Sequence, residues 1–357
     1  MTRRSFLAGM LAAPLTVQGA PVPRDWRKYL DPATEFEVLL LTDPQHESIF
    51  PSPPAIAVDR RSRLLLYAST RSGQWQPWVM DLSDGTSRQL GTHTDFLPST
   101  MTLHPAGREA VLAEGSRLKA VRLAGLRQRP LASLTGGAEW FGPVAPSPDG
   151  TALFYVEKAA GLWRVQRLAW PKGAPATVLE SGEPVLALTP NPRRSMLLWR
   201  TEAGAIETAA QDGTLRRRLE TPPGRVLEAA WSPDGQAVLY LHESAEERPR
   251  CTLREQMLDS REDRLVAPTS QFGRFSRNAN GSVFVGASRS AASPLILILL
   301  RINRRELPLC EHKASDPQMT RPVFTPDAQR ILFVSDRLGK PAIFMLNVEK
   351  LIEKTES

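Results

Sequence analysis

Short apolar runs recur along this chain at a steady interval, each set off by a tight polar turn. Residues 321–348, RPVFTPDAQRILFVSDRLGKPAIFMLNV, show the unit in full. Thr325-Pro326-Asp327-Ala328 is a turn signal, because proline presets φ and aspartate bonds its own backbone. Residues 331–334 (ILFV) are β-branched and large apolar side chains, long enough for a buried strand and too short for a helix. Residues 336–340 turn the chain, and residues 341–348 form a second strand.

The unit recurs with anchors at Asp59, His104, Ser147, Thr189, Ser232, Asn278 and Thr325. Ser147-Pro148-Asp149-Gly150 and Ser232-Pro233-Asp234-Gly235 keep the whole turn, whereas Val58-Asp59-Arg60-Arg61 is degenerate. The intervals are 45, 43, 42, 43, 46 and 47 residues. A period of about 40–45 residues with four short strands per unit predicts a β-propeller. The seventh unit ends after its third strand, while a lone strand at 35–42 (EFEVLLLT) precedes the first. That strand can complete the last blade, close the ring and remove open sheet edges. The expectation is an all-β, seven-bladed propeller of four-stranded antiparallel blades over residues 35–349, after a spacer at 20–34 and before a polar tail at 350–357. The strand count argues against an open solenoid or a two-domain β protein.

Composition agrees with this reading. Of 357 residues 41% are hydrophobic, enough for a large core, and 31 Pro and 23 Gly supply the turns. The net charge is +7. Residues 1–19, MTRRSFLAGMLAAPLTVQG, hold Arg3 and Arg4 and no acid, so their removal leaves +5. The arginine pair followed by Ser5, Phe6 and Leu7 resembles the twin-arginine export signal of bacteria. It predicts a cleaved leader and a periplasmic or secreted protein. No other run is long and apolar enough for a membrane helix; residues 294–300 (PLILILL) have strand length. The basic surplus suits an acidic partner or serves as solubilising surface. No Lys/Arg tract interleaves with aromatics and no nucleic-acid motif occurs, so nucleic acid is not an expected partner. A monomer is expected. Cys251 and Cys310 are too few for a disulfide framework and are expected as buried free thiols, a single disulfide being the alternative.

The repeated turn, with the F-x-S-D-R-x-G-x-x-x-I-F strand pair at Phe333–Phe344, resembles the blades of TolB-type propellers. That likeness is specific for architecture and nearly silent on function. A narrower resemblance is to the oligogalacturonate lyases, propellers that degrade short pectin fragments. Leu309-Cys310-Glu311-His312 is similar to that family's L-C-x-H. Gln318-Met319-Thr320 with Phe324-Thr325-Pro326 is similar to its Q-x-T-H-P-H-P-x-F-T-P, and residues 274–286 to its sixth-blade block. The resemblance implies β-elimination: a metal such as manganese, held by three His and one Gln, stabilises the enolate. A further His, assisted by an Arg, takes the proton α to the uronate carboxylate.

The chain departs from that pattern at most of those positions. Gln318 matches the metal-binding Gln, but Arg321-Pro322 stands where H-P-H should follow Thr320, so two His are gone. The sixth-blade His falls at Arg274 and the base His at Glu228, and the assisting Arg has no identifiable counterpart. A guanidinium is always charged, has no lone pair and repels a cation. The expectation is therefore no cofactor, and a divalent metal such as manganese only if the family's site survives.

Arg274, Gln318 and Arg321 are candidates for holding the carboxylate of an acidic sugar directly. Glu228 is the candidate base if elimination persists. His46 is the one His whose loop, Asp43-Pro44-Gln45-His46, is placed to reach the funnel. His93 is expected to be solvated, His104 to serve its turn, and His242 and His312 to pack. The tryptophans at strand positions are expected in the core, with Trp140-Phe141 as a weaker candidate for a sugar floor. No G-x-S-x-G nucleophile motif occurs. Three readings stay open: a propeller binding an acidic oligosaccharide or a protein partner in its funnel, an active lyase on oligogalacturonate-like uronides, and a TolB-like interaction scaffold.

Overall fold

The computed structural model describes residues 21–269 and 271–351; the leader expected at 1–19 and most of the expected tail lie outside them. The strands form seven sheets, six of four strands and one of five. Neighbouring strands run antiparallel. In chain order the blades take residues 48–89, 96–133, 139–181, 186–218, 224–269, 272–311 and 323–347. The seven-bladed expectation holds. The core lies between blades, in clusters that alternate side chains from one sheet with those of the next.

One hydrogen bond makes the seven turns equivalent. The main-chain N–H of each turn's first residue donates to the carbonyl five residues on, at 2.8 to 3.1 Å. The donors are Asp59, His104, Ser147, Asn191, Ser232, Asn278 and Thr325. The side chain then closes the loop: Ser147 Oγ accepts from Ala152 N and Ser232 Oγ from Ala237 N, both at 2.9 Å. The fourth anchor is thus Asn191, not Thr189. Thr189-Pro190 imitates the repeat, but both residues are still strand, and it is Asn191 that accepts from the N–H groups of Arg193 and Arg194.

The ring closes as the strand count requires. Glu37–Leu40 pairs with Ala342–Asn347, with Val38 opposite Leu346 and Leu40 opposite Phe344. Alternation sends its side chains both ways. Val38 and Leu40 enter the core between blades six and seven, and Leu39 and Leu41 the core between blades seven and one.

The spacer expected at 20–34 needs correction. Arg27–Leu30 is a fifth strand on the outer edge of blade seven, and Val22 bridges to Ser87 of blade one. Its polar composition concealed it, because an outermost strand has one solvent face. The turn that follows is pinned by Asp31, which is fully buried. Asp31 accepts from Ala33 N at 3.2 Å, Thr34 Oγ1 at 3.3 Å and Glu311 N at 3.1 Å, with the Arg337 guanidinium 4.0 Å away. Arg337 also donates to the Tyr29 hydroxyl at 2.7 Å and the Glu311 carbonyl at 2.9 Å.

His93 is a second correction. It is buried, its backbone clamped in both directions by the Gln76 amide at 2.8 and 2.9 Å, and burial pushes its imidazole below the usual pKa. His104, His242 and His312 serve turns and packing as expected. Trp140 and Phe141 pack edge-on against Tyr155 and Trp163. Both thiols are free and buried.

Asp31→Ala strips the Ala33 and Glu311 N–H groups of their acceptor at the closure and leaves Arg337 without its carboxylate. It is expected to cost about 3 kcal/mol in equilibrium urea unfolding. A loss below about 1 kcal/mol, the scale of an ordinary surface change, would mean that the ring does not depend on this carboxylate.

Candidate functional site

The first strands of the blades lie toward the axis, and those of blades two and three, three and four, five and six, and six and seven touch directly. These strands are irregular. Pairing slips between Leu97 and Thr102, Phe141 and Ala145, Leu186 and Thr189, Val226 and Glu228, and Phe272 and Arg274. A bulge kinks its strand and re-aims the side chains beside it. Glu228 and Arg274 each directly follow such a slip, and both line a cavity of about 300 Å³. Gly273 occupies one of these bulges, where a Cβ would come within 2.2 Å of the Arg289 side chain.

Arg321 lines the same cavity from blade seven. Its φ is +39°, a left-handed conformation that costs a non-glycine residue about 1–3 kcal/mol. The strain is held by contacts at its tip: the guanidinium donates to Ser52 Oγ of the neighbouring blade one and to the Gln318 carbonyl at 3.4 Å. Gln318 sits in a short 3-10 turn, Pro317–Met319, capped by Asp316. Its Oε1 accepts from Arg274 Nε at 3.1 Å, and Arg274 Nη1 donates to Glu228 Oε2 at 3.0 Å. The structure thus brings Glu228, Arg274, Gln318 and Arg321 into one hydrogen-bonded group. It does not bring His46 there. The His46 imidazole lies 4.0 Å from the Asp43 carboxylate, and His46 does not line the cavity.

Arg200, at the end of the Met196–Arg200 strand, is a residue that the sequence reading missed. It donates to the Val226 carbonyl at 3.3 Å, while its buried Nε has no partner. Burial pushes its guanidinium below the ordinary value; Glu228 opposes that shift and Arg274 adds to it. Arg321 behaves alike: desolvation first, then the Arg274 charge, press its pKa down against Glu228. The charged side chains lining the cavity are Arg274, Arg277 and Arg321 against Glu228, a surplus of two positive charges, with Asp316 acting on Arg321 from outside it. The Arg277 guanidinium is spent on the carbonyls of Trp231 and Asn278. No motif marks Arg200; its only trace is a charge after the apolar run Leu197–Leu198–Trp199.

The donor set does not fit a divalent metal. Gln318 offers one neutral oxygen and Glu228 one carboxylate, both already engaged by Arg274, and the adjoining guanidiniums have no lone pair. Among the described residues no group of three or more His, Cys, Asp and Glu is placed to hold a metal ion. What the arrangement can hold is an anion, and the fork of a guanidinium matches a carboxylate.

No family model matches the chain. It is homologous to an oligogalacturonide lyase of Pectobacterium atrosepticum, 22% identical over 388 residues that cover 93% of this chain and 98% of the relative. An oligogalacturonate lyase solved in complex with manganese superposes with a TM-score of 0.86 at 21% identity, covering 92% of this chain and 98% of that one. The oligogalacturonate lyase of Vibrio parahaemolyticus gives 0.86 at 18%, covering 93% and 98%. The propeller architecture is shared over more than nine-tenths of the chain.

Removing the one negative charge tests this electrostatic account. Glu228→Gln is expected to lose about 2 kcal/mol of stability at low ionic strength, with most of it restored by added sulfate. Urea unfolding across a salt series reads this out, and a loss that is absent or indifferent to salt would contradict the charge surplus.

Proposed function

We propose that this chain is an exported, oligogalacturonate lyase-like propeller whose funnel binds the carboxylate of an acidic sugar through guanidinium groups, without a metal. The observation that carries the reading is the meeting of Arg274 and Arg321 at one cavity, joined through Gln318, beside a single carboxylate. Homology to a lyase of oligogalacturonides supports a uronide as the ligand class. In the lyase resemblance a metal meets the uronate carboxylate; here the residues matched to that position carry the positive charge themselves. A bidentate arginine contact supplies both charge and orientation. Export rests on the twin-arginine pattern at Arg3 and Arg4.

Elimination is the less favoured reading. A base must reach the proton it removes, and Glu228 Oε2 is turned into an ion pair with Arg274. No cation replaces the metal's polarising role beyond the arginines themselves.

The test is calorimetric titration with digalacturonate, run beside an ultraviolet assay for the unsaturated uronate that elimination releases. Binding is expected, and Arg274→Ala and Arg321→Ala are each expected to weaken it by about tenfold or more. No new absorbance is expected. Absorbance that grows with time and vanishes in Glu228→Gln would establish the lyase instead, and absence of any binding would remove the proposal.

A further inference from the structure

The seam between blades one and two lacks a charge balance that comparable seams possess. Leu123 of blade two and Leu258 of blade five are equivalent. Each follows its blade's third strand, and its N–H donates at 3.0 Å to the carbonyl of the residue before the second strand, Arg108 and Gln236. An arginine from the fourth strand of the preceding blade reaches each carbonyl: Arg88 donates to Leu123, and Arg217 to Leu258 at 3.1 Å. The charges around them differ. Blade five puts Gln236 and Asp259 at this place, and Asp259 pairs with Arg194 at 2.9 Å. Blade two puts Arg108 and Ala124 there, one cation more and one carboxylate fewer. The seam between blades two and three is matched as well, with Arg129 pairing Glu109 at 2.7 Å. Arg88, Arg108 and Arg122 line a cavity of about 530 Å³ at the unmatched seam, and no Asp or Glu lines it. Among the described residues these three arginines have no ion pair. The Asp59 carboxylate beside Gly107 is buried and engaged by the N–H groups of Arg63 and Leu64, both at 2.8 Å.

We infer that this seam binds a dianion of the phosphate class, free or as an ester, between Arg88 and Arg108. Strand alternation puts the two on one side: Leu90 and Ala110, two residues after each, both enter the core between blades one and two. Arg88 is half-buried and held on the Leu123 carbonyl, so its position is set before a ligand arrives. Arg108 is exposed and supplies the second charge from the facing blade. A carboxylate would balance one of these cations. A phosphate balances both, and its several oxygens reach donors on two walls at once. Because solvent screens each contact, affinity depends on having both arginines and falls as salt is added. The seam shares no lining residue with the cationic cavity of the funnel, and this inference does not rest on uronate binding.

The experiment is calorimetric titration of the full chain at about pH 8, where phosphate and its monoesters carry close to two charges. Inorganic phosphate and glucose 6-phosphate are the probes. Saturable binding of at least one is expected, and the tighter of the two tells a free ion from an ester as the ligand. Ala124→Asp installs the carboxylate that blade five carries, and Arg108→Gln installs its neutral side chain; both positions are exposed. Each variant is expected to weaken that binding about tenfold or more and to leave digalacturonate affinity unchanged. Circular dichroism melting confirms that both fold. Phosphate binding that persists undiminished in either variant lies elsewhere on the molecule and overturns the inference. Absence of saturable binding by both probes overturns it too. Neither result touches the funnel reading, which digalacturonate alone decides.

Discussion

A ring of wedges is stable only if its last member is fastened to its first. Here that fastening is a four-residue strand, Glu37–Leu40, which reaches the far end of the chain and pairs with Ala342–Asn347. Its alternating side chains belong to two inter-blade cores at once, so closure and packing are one event. The buried Asp31 carboxylate then ties the turn before this strand to blade six. Without closure the blades would keep open edges, and side chains far apart in sequence would not meet at an axis.

That axis explains the site. Glu228, Arg274 and Arg321 come from three successive blades and share one cavity because innermost strands converge. The bulges beside Glu228 and Arg274 turn these side chains inward. Arg321 reaches the same point at the cost of a left-handed backbone, a local strain kept by bonds to Ser52 and Gln318. Replacing imidazoles by guanidiniums changes what such a place can hold. A guanidinium cannot ligate a cation but can hold an anion, and the fold is indifferent to the exchange.

The architecture was legible because it is written as repetition. Seven turn anchors and one orphan strand determine blade number and closure, and only the fourth anchor was displaced, by a Thr-Pro pair that mimics the motif two residues early. Arg27–Leu30 escaped because an outer-edge strand shows too little alternation to stand out. His93 was misjudged because its neighbours are polar, yet the Gln76 side chain supplies what water would have given. At the site, Gln318 and Arg321 follow from a motif, and Arg274 and Glu228 only from their offsets within the repeat. Arg200 follows from no such signal: its role depends on pairing slips and on burial, neither of which leaves a signature along the chain.

The central proposal is that fixed guanidinium charges, and not a metal ion, hold the carboxylate of the ligand. It is tested most directly by measuring digalacturonate affinity in excess chelator and again with saturating manganese. The account predicts the same affinity in both. Binding that disappears in chelator and returns with manganese would contradict it.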